Sequence, residues 1–207
     1  LSVSVFTAPG VRAAPLLDVM FVLDGSGSMG SSEFISQSLA TQTYIDFLQT
    51  GVPGIDRDPG PPVAPDLLGA DLNAGVVQFS TSAHLIQPLT GVLTAVDVAL
   101  NNMVQLLGQT NHADAFTLAA AELAANGRAG AQQAIVLITD GTANEPNSGN
   151  PLIDAINAAN DAKDDGILIF AIGVGNSISL FDLELYASGP TEDFTAHVDS
   201  HGLLPTV

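Results

Sequence analysis

The chain has 207 residues, 46% of them hydrophobic, and its 22 acidic residues against 4 basic ones give a net charge of -18. This balance argues against nucleic-acid binding, which depends on neutralising phosphates with Lys and Arg, and against attachment to an anionic membrane surface. The sequence contains no cysteine, which excludes disulfides, thiolate metal sites and thiol redox chemistry. The hydrophobic content is sufficient for one sizeable core, so one main domain is expected.

The first half of the chain predicts a strand, a helix and a hairpin. The run "DVMFVLD" (residues 18–24) is typical of a buried strand, and the apolar spacing over residues 33–48 predicts a helix with Ser31 or Ser32 as its N-cap. The runs "AGVVQFS" and "AHLIQPL" are separated only by Thr81 and Ser82. That spacing predicts a hairpin and therefore one antiparallel strand.

The second half continues the alternation of helices and strands. Helices are predicted at residues 94–107 and 113–126, then a buried strand at 134–140. The next helix has Asn150 as its cap, Pro151 at its first position and Gly166 at its end. The strand "ILIFAIGVG", a short helix at 180–187 and the strand "DFTAHV" follow. This pattern predicts an α/β fold: a doubly wound, mainly parallel six-stranded sheet with one antiparallel edge strand and helices on both faces.

Two segments do not fit this alternation. Residues 1–17 are predicted to be an N-terminal extension, a linker or an extra strand, with the main domain at 18–207. Residues 51–71 form an insertion with five prolines, which follows a helix and is expected at the edge of the sheet remote from the loops that carry the site. The apolar runs are too short to span a bilayer. Because the chain starts at Leu1, we expect it to be one module of a longer or processed protein.

The stretch "FVLDGSGSMG" (residues 21–30) is compatible with two kinds of site. From Gly25 it matches G-x-G-x-x-G, the glycine pattern of dinucleotide-binding folds. Such a fold needs an acidic residue about 20 residues further on to hold the ribose, but the next strand begins about 50 residues later and ends in Phe79 and Ser80. Asp24 would also face the pyrophosphate. We therefore expect no nucleotide binding.

The alternative is a site for a hard cation. In a doubly wound sheet the loops at the carboxyl ends of the strands meet on one edge, and the helix after the antiparallel strand returns to that edge. Oxygen-bearing side chains lie in three such loops. Oxygen donors suit Mg²⁺, Mn²⁺ or Ca²⁺ and do not favour zinc or copper. The candidate metal ligands are Asp24, Ser26, Ser28, Thr110 and Asp140.

Three motifs occur in the order D-x-S-x-S, T-N-x-x-D-A and I-T-D-G. Together they resemble the von Willebrand factor A domain and its metal-ion-dependent adhesion site (MIDAS). The resemblance covers residues 18–198 and implies a Rossmann-like sheet. It implies that Ser26, Ser28 and Thr110 lie close to the metal, and that Asp24 and Asp140 act partly through water.

The resemblance also implies a function. The expected function is that of an adhesion module from a bacterial surface or secreted protein, whose divalent cation, Mg²⁺ first, coordinates an exposed Asp or Glu of a partner protein. The alternative is an intracellular scaffold subunit beside an ATPase, as in chelatase-like assemblies. An enzyme is not expected, because no general base is assigned near the site. His112 is interpreted as a solvent-exposed loop residue, with contact to a ligand as the alternative.

Overall fold

The structure, a computed structural model, describes residues 14–50, 70–145 and 149–198. Within these ranges six strands form one sheet in the order β3-β2-β1-β4-β5-β6. Only β3, at one edge, runs antiparallel to its neighbour. The strands are β1 (Leu16–Asp24), β2 (Asp71–Phe79), β3 (Ala83–Thr90), β4 (Gln132–Gly141), β5 (Leu168–Ser177) and β6 (Thr195–Val198).

Five α-helices lie on the two faces of this sheet in the described ranges. One face is covered by α1, α2 and α5, and the other by α3 and α4. A short 3-10 helix (Thr191–Asp193) precedes β6. The helices are α1 (Ser31–Thr50), α2 (Leu93–Asn102), α3 (His112–Asn126), α4 (Pro151–Asp164) and α5 (Leu180–Tyr186).

The central strand β1 shows why the apolar runs become parallel strands. Its odd-numbered residues, such as Val19 and Phe21, pack in the core under α1 and α2, whereas Met20 and Val22 pack in the core under α3. A strand covered on both faces needs apolar residues at consecutive positions, which is what "DVMFVLD" supplies. The predicted Rossmann-like, mainly parallel sheet with one antiparallel edge strand is confirmed.

The start of α1 differs from its prediction. The helix begins at Ser31, so neither Ser31 nor Ser32 precedes it as an N-cap. The carbonyl of Gly30 accepts from the Phe34 amide at 3.0 Å, and the Glu33 carboxylate accepts from the Gly30 amide at 2.6 Å. The predicted serine cap was wrong because the Glu33 side chain reaches back over the first turn.

Helix α2 ends five residues before the predicted position. It stops at Asn102, and the chain continues as a loop to Asn111. Leu107 in this loop has φ 60°, which is uncommon for a residue with a β-carbon and incompatible with a continuing right-handed helix. Of the predicted helix at residues 94–107, only the part up to Asn102 is therefore helical. The remaining residues contact a distant loop, which they could not reach from a helix.

The helix predicted between Asn150 and Gly166 is confirmed. The Asn150 side chain accepts from the Ile153 amide, Pro151 occupies the first position, and Gly166 follows with φ +83°. The segments 1–13 and 51–69 lie outside the described residues, so the predicted roles of the N-terminal extension and the proline-rich insertion stay predictions. Among the helices of the described ranges, none is long and apolar enough to cross a membrane.

Candidate metal centre

Asp24 and Ser26 begin the site at the carboxyl end of the central strand. Asp24 is the last residue of β1 and is 0% exposed, and Ser26 is 1% exposed. The Ser26 amide donates to Asp24 Oδ1 at 2.8 Å, and the Gly25 amide donates to the Phe79 carbonyl at 2.7 Å. The loop after β1 is thus fixed to its own strand and to the neighbouring strand β2.

Two serine hydroxyls connect this loop to the carboxyl end of β4. Ser28 Oγ donates to Asp140 Oδ1 at 2.8 Å and lies 2.9 Å from Ser26 Oγ. Because Ser28 has one hydroxyl proton and gives it to Asp140, Ser26 is the donor in the serine pair. The neighbouring parallel strands β1 and β4 therefore bring oxygens of these three residues together.

Thr110 approaches the same place from the loop between α2 and α3. Its amide donates to Asn144 Oδ1 at 2.8 Å, and its carbonyl accepts from the Asn144 amide at 2.9 Å. A β-carbon added at Gly141 would lie 3.8 Å from Ser28 Oγ and 3.9 Å from Thr110 Oγ1. The two hydroxyls therefore lie within 4 Å of one position beside Gly141.

The α2–α3 loop is held against the serine loop by backbone hydrogen bonds. The Gly27 amide donates to the Gly108 carbonyl at 2.9 Å, and the Leu107 amide donates to the Gly25 carbonyl at 2.8 Å. Gln105 Nε2 adds a bond to the Ser26 carbonyl at 2.8 Å. These contacts explain why α2 ends early. They also hold the loop that carries Thr110 next to Ser26 and Ser28.

Two of the three glycines of "GSGSMG", Gly25 and Gly27, also have a structural explanation. A β-carbon at Gly25 would collide with the Gln78 side chain, and one at Gly27 would lie 3.3 Å from the Gly108 carbonyl oxygen. These glycines thus allow the two loops and β2 to approach one another closely. Close packing of protein against these positions accounts for the pattern without a bound pyrophosphate.

Within the described residues, no Lys or Arg side chain balances the negative charges at the site. The pKa of Asp24 is raised from 3.8 to about 6. Burial is the main cause and the nearby Asp140 carboxylate adds to it, whereas hydrogen bonds from Thr139 and Ser26 act in the opposite direction. The two basic residues of the described ranges lie elsewhere: Arg128 binds Asp18, and Lys163 donates to the Ala187 carbonyl. A divalent cation would supply the missing positive charge.

Thr139 is a functional candidate that the sequence analysis missed. It is 0% exposed and its hydroxyl donates to Asp24 Oδ2 at 2.6 Å. Asp24 therefore has one carboxylate oxygen held by Thr139 and the other by the Ser26 amide. A polar residue inside the otherwise apolar run "AIVLITD" was the signal that could have identified it.

The interpretation of His112 as a solvent-exposed loop residue was wrong. It is the first residue of α3 and is 0% exposed. Its Nε2 lies 3.1 Å from Thr139 Oγ1, and its Nδ1 lies 3.3 Å from the Tyr186 hydroxyl. Burial lowers the pKa of His112 from 6.5 to about 3, so the ring is neutral at physiological pH. It packs beneath the site and does not face solvent or a ligand.

The arrangement fits a hydroxyl-rich cation site. Within residues 14–50, 70–145 and 149–198, no three or more His, Asp or Glu side chains form a group that could hold a metal ion by themselves. The candidate set instead has two carboxylates and three neutral hydroxyls, all oxygen donors of the kind that hard divalent cations prefer. The buried Asp24 and the two hydroxyls beside Gly141 are consistent with a cation there.

Comparison with known proteins identifies the family. The family model for the von Willebrand factor type A domain matches residues 18–207. The chain therefore belongs to the von Willebrand factor type A domain family, as its three motifs indicated.

The curated relatives include collagen chains. The chain is 24% identical over 204 residues to the mouse collagen alpha-4(VI) chain, covering 95% of this chain and 8% of that protein. It is 30% identical over 197 residues to the human collagen alpha-1(XX) chain, covering 91% of this chain and 13% of that protein. The chain thus spans a small part of the collagen chains that it matches.

Solved structures show the same fold. Proximal thread matrix protein 1 from the mussel byssus, described with a zinc-occupied MIDAS motif, has a TM-score of 0.69 at 20% identity and covers 94% of this chain and 46% of that one. The vWF domain of the type V pilus tip protein Mfa5 from Porphyromonas gingivalis has a TM-score of 0.68 at 14% identity, covering 94% and 93%. At these identities the likeness concerns the fold.

Proposed function

We propose that this domain is a metal-dependent protein-binding module that holds a partner's carboxylate through a divalent cation. The observation that carries the proposal is the convergence of hydroxyl and carboxylate oxygens from two loops and the carboxyl end of β4 beside Gly141. The residues proposed to hold the cation are Asp24, Ser26, Ser28, Thr110 and Asp140.

The donor set explains why a partner's carboxylate would bind. Three of the five proposed ligands are neutral hydroxyls, and the family resemblance implies that Asp24 and Asp140 act partly through water. The direct ligands would then neutralise only part of the cation's charge, and the cation would attract an anionic oxygen. Ser28 is exposed whereas Asp24 and Ser26 are buried. A partner would therefore approach from the side of Ser28, and the protein would hold the cation from below.

The surface beside the site supports a protein as the partner. Val104 and Leu107 are 76% and 58% exposed, and both lie in the loop that is bonded to the serine loop. Exposed apolar side chains next to a polar site are typical of protein interaction surfaces. Adhesion, as opposed to catalysis, is further supported by the collagen and pilus proteins among the relatives.

The same relatives favour an extracellular or cell-surface module of a longer chain over an intracellular scaffold beside an ATPase. We propose Mg²⁺ as the native cation, with Mn²⁺ and Ca²⁺ as the other oxygen-preferring candidates. Zinc is described in the MIDAS motif of the mussel protein, so Zn²⁺ should be measured beside these three ions when cation affinities are compared.

The metal site is tested by titration calorimetry with each of the four ions on the metal-free domain. Asp24→Ala and Asp140→Ala are expected to abolish binding or weaken it greatly, whereas the control Asp161→Ala, an exposed residue of α4, should bind as the wild type does. If both site variants bind the cation with unchanged affinity, the cation binds elsewhere in the protein.

The partner is tested with a candidate matrix protein, such as a collagen preparation, immobilised on a surface. Binding is expected to require the cation and to be reversed by excess chelator. Blocking the partner's carboxyl groups as amides should have the same effect. Binding that persists in chelator would mean that the cation is structural only.

A further inference from the structure

A continuous row of polar contacts extends from Asp24 into the core. Thr139 Oγ1 lies 2.6 Å from Asp24 Oδ2 and 3.1 Å from His112 Nε2. His112 Nδ1 in turn lies 3.3 Å from the Tyr186 hydroxyl. All four residues are 0% exposed, so water does not compete for these groups.

The proton of Thr139 determines the direction of the row. A threonine hydroxyl has one proton, and the contact to Asp24 is its shortest and involves a carboxylate, the stronger acceptor. Thr139 therefore donates to Asp24 and must accept from His112. This requires the tautomer of His112 that carries its proton on Nε2.

The second nitrogen of His112 is satisfied from the other side. With the proton on Nε2, Nδ1 is an acceptor, and the Tyr186 hydroxyl at the end of α5 donates to it. The ring cannot easily turn, because it packs edge-on against Phe79 at 5.3 Å and against Tyr186 at 5.4 Å between ring centroids. The side chain is thus fixed both in orientation and in its hydrogen bonding.

We infer that His112 is a positioning residue for the metal centre: its Nε2–H holds the Thr139 hydroxyl on Asp24 and thereby fixes the rotation of the Asp24 carboxylate. This inference rests on the proposed function, because it assumes that Asp24 takes part in cation binding. Without the His112 donor, the Thr139 hydroxyl keeps only the longer hydrogen bond from the Gly141 amide, at 3.3 Å, and it can turn towards the Gly141 carbonyl, which lies 3.1 Å away. Asp24 Oδ2 then loses its partner for part of the time.

A purely structural role for His112 would give a different result, because a buried histidine also fills space. If packing alone mattered, its substitution would lower the stability of the fold but would act on cation binding independently of Thr139. If His112 acts through Thr139, its effect on cation affinity disappears once the Thr139 hydroxyl has been removed. A double-mutant cycle separates the two possibilities.

The experiment measures the Mg²⁺ dissociation constant of the whole chain by calorimetry for His112→Phe, Thr139→Val and the double variant. Phe keeps an aromatic ring and lacks the donor, and Val keeps the shape of Thr without the hydroxyl. We expect each single variant to weaken Mg²⁺ binding on the order of 10-fold, as is typical when a group that orients a metal ligand is lost. The double variant should bind as Thr139→Val does.

The variant His112→Gln tests rescue, because its amide nitrogen extends towards the position of Nε2. It should bind Mg²⁺ more tightly than His112→Phe, whereas a packing role predicts that Phe, the better ring substitute, performs at least as well. If the losses of Mg²⁺ affinity in the two single variants add up in the double variant, His112 and Thr139 act independently and the inference is overturned. Failure of the wild type to bind any of the four cations would instead overturn the proposed function, and the inference with it.

A measurement on the wild type keeps the test decisive if His112→Phe does not fold. Nitrogen NMR distinguishes the two neutral tautomers of histidine, and the signals of His112 can be assigned by comparison with His112→Gln. The expected result is a proton on Nε2. A proton on Nδ1 would leave Nε2 competing with Asp24 for the Thr139 proton, which contradicts the proposed role.

Discussion

Arg128 holds the buried carboxylate of Asp18 at the end of the sheet opposite the candidate metal centre. Arg128 Nε lies 2.7 Å from Asp18 Oδ1, and Asp18 is 0% exposed. The same guanidinium donates to the Asp71 carboxylate at 2.9 Å and to the Leu17 carbonyl at 2.9 Å. One side chain from the turn before β4 thus joins the first residues of β1 and β2.

The first prediction concerns this contact. Arg128→Ala should lower the free energy of unfolding by about 3–5 kcal/mol, because the buried Asp18 carboxylate loses its cationic partner and keeps only the hydrogen bond from the amide of residue 128. Urea denaturation of the metal-free chain measures the loss. Adding Asp18→Asn to Arg128→Ala should recover part of it, since the buried charge is then removed. Equal stability of Arg128→Ala and wild type would show that solvent replaces the guanidinium.

The second prediction concerns pH and metal removal. Asp24 has its pKa raised from 3.8 to about 6, mainly by burial. In the metal-free protein the stability that comes from protonating Asp24 is therefore fully present below pH 3.8 and is lost as pH rises through about 6. The loss is on the order of 3 kcal/mol at neutral pH. A bound cation offsets it. The stabilisation by Mg²⁺ should therefore be greater at about pH 7.5 than at about pH 5.

Thermal unfolding with Mg²⁺ or with chelator at both pH values measures this difference. Asp24→Asn is the control, because it removes the titrating carboxylate and should leave little effect of Mg²⁺ at either pH. An equal effect of Mg²⁺ at both pH values in the wild type would mean that protons and cations do not compete at Asp24.

The third prediction concerns the glycine pattern. Gly25→Ala should destabilise the domain by about 1–3 kcal/mol, because the new methyl group overlaps the buried Gln78 side chain. Gly30→Ala is the matched comparison: its methyl group would meet only the end of the Glu33 side chain, at 3.0 Å, and should cost less. Denaturation of the two variants measures the difference. A reversed order would contradict the packing explanation for Gly25.

The same explanation predicts that the wild type binds neither NAD nor ATP, despite its G-x-G-x-x-G pattern. Calorimetry with both nucleotides, with and without Mg²⁺, is the measurement. Saturable binding with micromolar affinity would show that the serine loop can open around a phosphate.

The fourth prediction concerns the rate of association with an acidic partner. The chain carries a net charge of -18, so long-range repulsion should slow encounter at low salt. At physiological ionic strength charges further apart than about 8 Å are largely screened, and direct contact with the cation then dominates. Surface plasmon resonance should show an association rate that rises with salt, the reverse of electrostatically steered binding. A rate that falls with salt would point to a basic partner surface.

The sequence by itself was sufficient for most of the fold and for the candidate ligands. Runs such as "DVMFVLD" and "AIVLITD" are apolar at consecutive positions because both faces of a parallel strand are covered, and this pattern is local. Asp24, Ser26 and Ser28 belong to one short motif, and Asp140 follows directly on its strand. Local spacing and the rule that the carboxyl ends of parallel strands meet at one edge were enough to bring them together.

Only the tertiary structure decided how those groups are supported. Helix α2 ends at Asn102 because Gln105 and Leu107 bond to the serine loop, which no periodicity in residues 94–107 reveals. His112 is buried because Tyr186, 74 positions away, packs against it and shares a hydrogen bond. Burial and hydrogen-bond partners depend on which distant side chains meet, and that information arises only when the helices pack on the sheet.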